Sequence, residues 1–203
     1  MVNERSLETY GSLMEEIKLR VEAIDRILAG EVYLRNKIAE ELCYLQLRMI
    51  CEITALSCLI IHGDVKGAQS SQLQKAYQAD WIINKLQELH PKFYPQPIES
   101  KDKPGIGGGP PQVVDIVDGF LTREELVKLY HICGDKLHRG RAKNILKGSD
   151  APNYNNIKIW RSKIIKLHNR HRIALVDGVN ECWFLMQQEG TNRVAWNVMT
   201  LVE

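Results

Sequence analysis

LCYLQLRMICEITALSCLII, residues 42–61, is the most apolar run in the chain and organises everything around it. Leu34, Ile38, Leu42, Leu45, Met49, Ile53, Leu56 and Ile60 recur in steps of four with threes between, close to an eleven-residue helical repeat. Cys43, Leu47, Ile50, Thr54, Cys58 and Ile61 line the opposite side. A helix that is apolar nearly all round belongs in the middle of its bundle. The run is about as long as a membrane span, but Arg48 and Glu52 stand in its middle, where hydrocarbon would penalise both charges. It is therefore read as a core helix, stopped by His62-Gly63-Asp64, in a protein with no membrane span.

The flanking helices are read outward from it. Leu7, Tyr10, Met14, Ile17, Val21, Ile24 and Leu28 form a heptad seam on a first helix that Gly30 ends. A third helix is predicted over Ser71–Leu89, opened by Ser71 with Gln74 and stopped by Pro91. The stretch 91–111 is rich in proline, glycine and charge and is read as a mobile loop. Leu121, Thr122, Glu125 and Leu126 spell a staple residue, an N-cap, its capping-box acid and the staple partner. The fourth helix then carries Leu126, Leu129, Tyr130, Cys133 and Leu137 on one face and ends near His138. A fifth helix, predicted over Asn156–His171, buries Ile157, Trp160, Ile164 and Leu167.

The periodicity then changes from helical to alternating. Arg172–Val176 is predicted as a strand, Asp177-Gly178 as a type I′ turn, and Val179–Met186 and Arg193–Val202 as two further strands. The expected fold is mainly α: a bundle of about five helices over 1–171, with a small C-terminal antiparallel β-meander over 172–203. So small a sheet cannot stand alone and must pack on the helices.

With 203 residues and a formal charge of +2, the chain neither demands nor excludes a nucleic-acid partner. Its cysteines number five, with no CxxC pair. They read as reduced core residues of a cytoplasmic protein. Gly105–Gly109 lacks the preceding strand and the following Lys-Ser/Thr of a phosphate loop. His131, Cys133, Asp135 and His138 do not share one helix face, so no metal site is assigned, and no cofactor.

Two groupings carry chemistry. Arg48 and Glu52 are i,i+4 neighbours on the core helix, and charges placed there need partners. Arginine preceding glutamate is the weaker order for a lone helical pair, so another element should pass over them. His138, beside Arg139 and Arg141, supplies an imidazole able to move protons near neutral pH and guanidinium groups able to hold a phosphodiester. Separately, Lys158, Arg161, Lys163, Lys166, His168, Arg170, His171 and Arg172 make the fifth helix and its exit basic. Of these, Lys158, Arg161, Lys166 and His168, together with Arg141, are the candidate nucleic-acid contacts.

LRMICEITALSCLIIHGD (47–64), WIINKLQELHPKFYPQP (81–97) and LTREELVKLYHICGDKLHRG (121–140) resemble a group of bacterial helical proteins related to the HEPN superfamily. The resemblance implies a helical, dimeric protein of a toxin or phage-defence system, in many members a metal-independent RNase. The family signature is Arg, four to six residues, then His. At the corresponding helix end this chain has Cys133, four residues, then His138, so an arginine would have to come from Arg48 or Arg139 in space. Arg161 and His168 match the bare spacing, which this many arginines and histidines can meet by chance. In the RNase reading His138 is the acid or base, Arg139 or Arg48 steadies the phosphate, and Glu52 orients the group. The alternatives are a non-catalytic module that binds nucleic acid or protein, and a structural homo-oligomer. The long heptad helix and the small sheet make a homodimer the expected assembly, since two-fold closure covers such surfaces.

Overall fold

The computed structural model describes residues 2–101, 112–138 and 152–200. The glycine run 105–109, Arg139 and Arg141 lie outside these residues. Helix α1 (Glu4–Leu28) is followed by α2 (Asn36–Ile61), a single turn α3 (Ser71–Gln74), α4 (Ala79–Leu89), α5 (Arg123–Leu137) and α6 (Tyr154–His168). Strands β1 (Gln96–Lys101), β2 (Gln112–Asp115), β3 (Arg170–Ala174), β4 (Asn180–Leu185) and β5 (Ala195–Thr200) form one antiparallel sheet in the order β2-β1-β3-β4-β5. The fold is mainly helical with a small C-terminal meander, β3-β4-β5, as the periodicities require.

The helix ends follow local chemistry. Asn3 caps α1 by accepting the Ser6 N–H at 2.8 Å. At the other end Gly30 takes a left-handed φ of 76°, and the Gly30 and Glu31 N–H groups close back onto Ile27 and Arg26. This is a Schellman stop, which needs a residue without a Cβ penalty. The capping box of α5 is complete: Thr122 Oγ1 accepts the Glu125 N–H at 3.2 Å, and Glu125 Oε2 accepts the Thr122 N–H at 3.3 Å. Leu121 and Leu126 are both buried at that entry.

Helix α2 is long and apolar enough by composition to cross a bilayer. In the fold it is packed by α1, α4, α5 and α6. The face that is fully covered is Cys43, Leu47, Ile50, Thr54, Cys58 and Ile61. The other seam is the outer one, with Ile38 and Leu45 exposed, Leu42, Met49, Leu56 and Ile60 half-buried, and only Ile53 of those in the helix buried. Apolar content does not distinguish two such faces; the packing of the neighbouring helices does.

Four expectations are corrected. The third helix is broken: α3 is capped by Ser70 rather than Ser71, Lys75–Gln78 leaves the helix, and α4 restarts at Ala79. The stretch 91–111 is not all loop, because Gln96–Lys101 is strand β1. Its first two residues pair with β3, through Gln96 opposite Arg172 and Pro97 opposite His171, and the remainder pairs with β2. Pro97 sits near the strand start, where a missing N–H is tolerated, so it does not break the strand. Finally, α6 ends at His168, and His171 belongs to β3. The turn between β3 and β4 has a left-handed residue only at Gly178, where a type I′ turn would also need one at Asp177. Asp177 Oδ1 instead accepts the Val179 and Asn180 N–H groups.

Sheet and helices share one core. Tyr10 of α1 packs against Phe184 of β4 with ring centroids 4.1 Å apart, and His171 stacks on the same phenyl ring at 5.3 Å. Trp196 of β5 lies across Gly11 of α1, where a Cβ would stand 2.7 Å from the indole ring. Gly11→Val should therefore lower the urea-unfolding free energy by roughly 1–3 kcal/mol, the usual cost of overpacking. Trp196→Ala in the same chain should relieve the part due to the clash, and an unchanged stability for Gly11→Val would show that β5 does not seat on α1.

Candidate functional site

Arg48 and Glu52 occupy one flank of α2, and α5 crosses over them. Arg48 Nε is 3.1 Å from Glu52 Oε1, and Arg48 Nη2 donates to the Tyr130 hydroxyl at 2.7 Å. The guanidinium carbon lies 4.1 Å from the Tyr130 ring centroid, so stacking adds to the hydrogen bond. Gly134, one turn on, leaves room for it: a Cβ there would be 3.3 Å from Arg48 Nη1. The passing element that the pair requires is thus α5. The burial is partial, with 28% of the Arg48 side chain and 19% of Glu52 exposed. Beside this joint, Asp80 in the first turn of α4 faces His131 at 3.3 Å. The cluster therefore ties α2, α4 and α5 together.

His138 is not part of it. It forms the C-cap of α5, its backbone N–H bonded to the Gly134 carbonyl at 3.1 Å, and it is exposed. Among the described residues no hydrogen bond or ion pair joins its side chain to Arg48 or Glu52. The neighbouring polar anchor is Glu40, buried on α2, which accepts the Asn153 N–H at 3.0 Å and lies 3.8 Å from Lys136. Cys133 is in the core between α2 and α5, where burial holds its thiol up at about 12. Among the described residues no three His, Cys, Asp or Glu side chains converge as a metal site would need.

The basic stripe is divided by the fold. Arg161 forks onto Asp25 of α1, with Nε to Oδ1 at 2.7 Å. Lys163 is bonded to Glu125, and Arg172 is held between Glu181 (2.7 Å) and Asp115 (2.9 Å). His168 is buried, which removes it from the set of surface contacts. Lys158 is exposed. Among the described residues Lys166 has only the distant Asp118, at 3.8 Å, as its acid, and it lies over Gly119, whose φ of 73° marks a left-handed turn. Arg170 is bonded to Ser100 and packs over Trp183 at 5.8 Å, with no acid partner among the described residues. Lys166, Arg161 and Arg170 line a groove of about 530 Å³ between α6 and β1, floored by Ile98, Ile116 and Ile165. Ser162 and Asn169 add neutral hydrogen-bonding groups to its wall. Lys158 extends the same helix face, three and four residues before Arg161 and Ser162.

Behind that face runs a chain of buried polar groups. His171 Nδ1 is 2.9 Å from the His168 carbonyl, which can only accept, so Nδ1 carries the proton. Its Nε2 then accepts from the Tyr10 hydroxyl at 2.8 Å. Thr54 donates its one hydroxyl proton to the Ile50 carbonyl at 2.8 Å, so His168 Nε2 donates to Thr54 Oγ1 at 3.2 Å. That assignment leaves His168 Nδ1 a bare acceptor, buried and without a partner among the described residues. His62 is likewise buried, donating to the Phe93 carbonyl at 3.1 Å with Nδ1 unpartnered. Sequence reasoning missed this chain because His171 was placed on the helix, and it missed the role of Tyr130 by counting it only as core. A tyrosine on a buried stripe has a hydroxyl to satisfy, and that is the signal which could have found it.

Glu52→Gln keeps the shape and a hydrogen bond to Arg48 but removes the charge. It should cost about 1–2 kcal/mol, between an exposed and a fully buried pair, read as a shift in urea midpoint. No change in midpoint would mean that the pair is free in solution.

Acid should act through the histidines. Burial holds His62 and His171 down at about 4 and pushes His168 well below the usual imidazole range, with His171 beside it adding to the shift. Depressed folded values mean that the unfolded chain takes up protons first. Stability is therefore full above about pH 6.5 and is lost as pH falls toward 4. Between pH 7 and pH 5 roughly 2 kcal/mol should go for each such histidine, measured by chemical denaturation. A flat profile across that window would show the imidazoles to be solvated.

Compared with models of protein families, with curated proteins and with solved structures, the chain matches none.

Proposed function

We propose that this chain is a non-catalytic, HEPN-like module that binds single-stranded RNA in the groove between α6 and β1. The observation that carries the reading is the convergence of Lys166 and Arg170, neither of them tightly paired with an acid among the described residues, on one groove of about 530 Å³ with an isoleucine floor. Cations along a wall hold phosphates, and an apolar floor accepts bases without reading their sequence. Glu99, the one acid lining this groove among the described residues, is 3.4 Å from Lys101. What supports binding over cleavage is the state of the cleavage candidates. The Arg48 guanidinium is already engaged by Glu52 and Tyr130, and His138 stands at an exposed helix end. A transferring phosphoryl group would need the two together, within hydrogen-bond reach of the same atoms.

Binding of a fluorescent single-stranded RNA, followed by anisotropy over a range of salt, tests this. Lys166→Ala with Arg170→Ala should weaken binding about tenfold and flatten the log–log salt slope by about one unit for each lost phosphate contact, leaving the RNA intact. Binding that ignores both substitutions overturns the groove. Cleavage of the RNA that disappears in His138→Ala would return the function to the end of α5.

A further inference from the structure

The groove does not end at Arg161. On the other side of that residue a second cavity, of about 370 Å³, opens between α1, α6 and the segment after β4, and it shares Arg161, Ile165 and Asn169 with the groove. Its floor is Ile17, Ile164, Met186 and the buried ring of His168. Its rim carries the side-chain amides of Asn169, Gln187 and Asn192, with Lys18, Glu22 and the Asp25–Arg161 ion pair beside them. Small-molecule sites have this build, an apolar interior with a few polar groups that fix orientation.

We infer that this cavity takes one unstacked nucleobase of the strand whose phosphates lie along Lys166 and Arg170; the inference rests on the RNA-binding reading above. The chemistry of the floor selects the class of ligand. His168 Nε2 is committed to Thr54, so its Nδ1 carries only a lone pair, buried and without a partner among the described residues, which a ligand in the cavity meets once the ring turns toward it. A buried acceptor left unmatched costs free energy, which a donor arriving with the ligand recovers. Every common nucleobase carries an N–H donor on its edge and two flat apolar faces for Ile17, Ile164 and Met186 to cover. The rim amides can donate and accept, which suits the remaining edge. A fatty acyl chain would use the floor but leave the imidazole unmatched. A bare phosphate would have to displace Asp25 from Arg161 and would leave the floor empty. Splaying a base away from its neighbours is the usual route by which proteins read single-stranded RNA.

The test compares an RNA oligomer with an abasic ribose-phosphate oligomer of the same length, on the full chain. RNA should bind at least tenfold tighter. Val21→Phe, which fills the cavity from α1, and Gln187→Trp, which blocks it from an exposed rim position, should each bring RNA down to the abasic level. Abasic binding should stay intact in both and remain sensitive to Lys166→Ala with Arg170→Ala. Equal binding of the two oligomers by the unsubstituted chain, still sensitive to those two alanines, overturns the base pocket and leaves the groove standing. Insensitivity of both oligomers to the two alanines overturns the groove, and the base pocket with it.

Discussion

A helix of 26 residues with apolar side chains on nearly every side has to be covered on nearly every side, and the rest of the fold answers that demand. The desolvation of α2 is the largest single term on offer, at roughly 25 cal/mol for each Å² of apolar surface removed from water. Helices α1, α4, α5 and α6 all pack on α2, and Cys43, Leu47 and Ile50 are fully buried beneath them. Once α1 is fixed on α2, Tyr10 and Gly11 present a surface that only a sheet face fits, and Phe184 and Trp196 supply it. The meander gains its stability there, since three short strands would not hold together in water.

Polar groups inside such a core have narrow options. Tyr10, Thr54, His168 and His171 satisfy one another in a chain whose proton positions are set by two carbonyls that can only accept. The chain links α1, α2, α6 and β3, so it fixes the register of sheet against helices as well as satisfying atoms. The two imidazole nitrogens left over, on His62 and His168, differ in setting. His62 Nδ1 is buried in the joint with His90 and Phe93, whereas the His168 ring also lines a cavity. The same absence of a partner thus lies in closed packing in one place and beside a cavity in the other.

Charge is distributed by the same logic. Arg161, Lys163 and Arg172 leave the helix or strand close to acids on other elements, so they serve as cross-braces between α6, α1, α5 and the sheet. Lys166 and Arg170 escape tight pairing because of what lies opposite: a turn with glycine at its tip in one case, a serine and an indole in the other. Two weakly compensated cations beside an apolar floor make a different surface from a continuous basic face. Such a surface favours a ligand that is part anion and part flat ring.

Much of this was legible in the amino-acid order. The heptad of α1, the all-round apolarity of α2, the capping box at Thr122 and Glu125, and the change to alternation near residue 170 are short-range patterns, and short-range physics determines them. The need for an element over Arg48 and Glu52 was legible too, because a charge on a core helix must be matched whatever the fold. What only the tertiary structure decided is long-range. No local stop marks the break at Lys75–Gln78, and nothing in Gln96–Lys101 announces a strand until β3 lies beside it. Which of two apolar faces of α2 is innermost depends on where the other helices dock. Whether a lysine or arginine of α6 is free depends on acids at positions 25, 118 and 125, far from it along the chain. Pattern reports what a residue can do; the neighbours brought in by folding decide which of its groups are already occupied, and so which are left to meet a ligand.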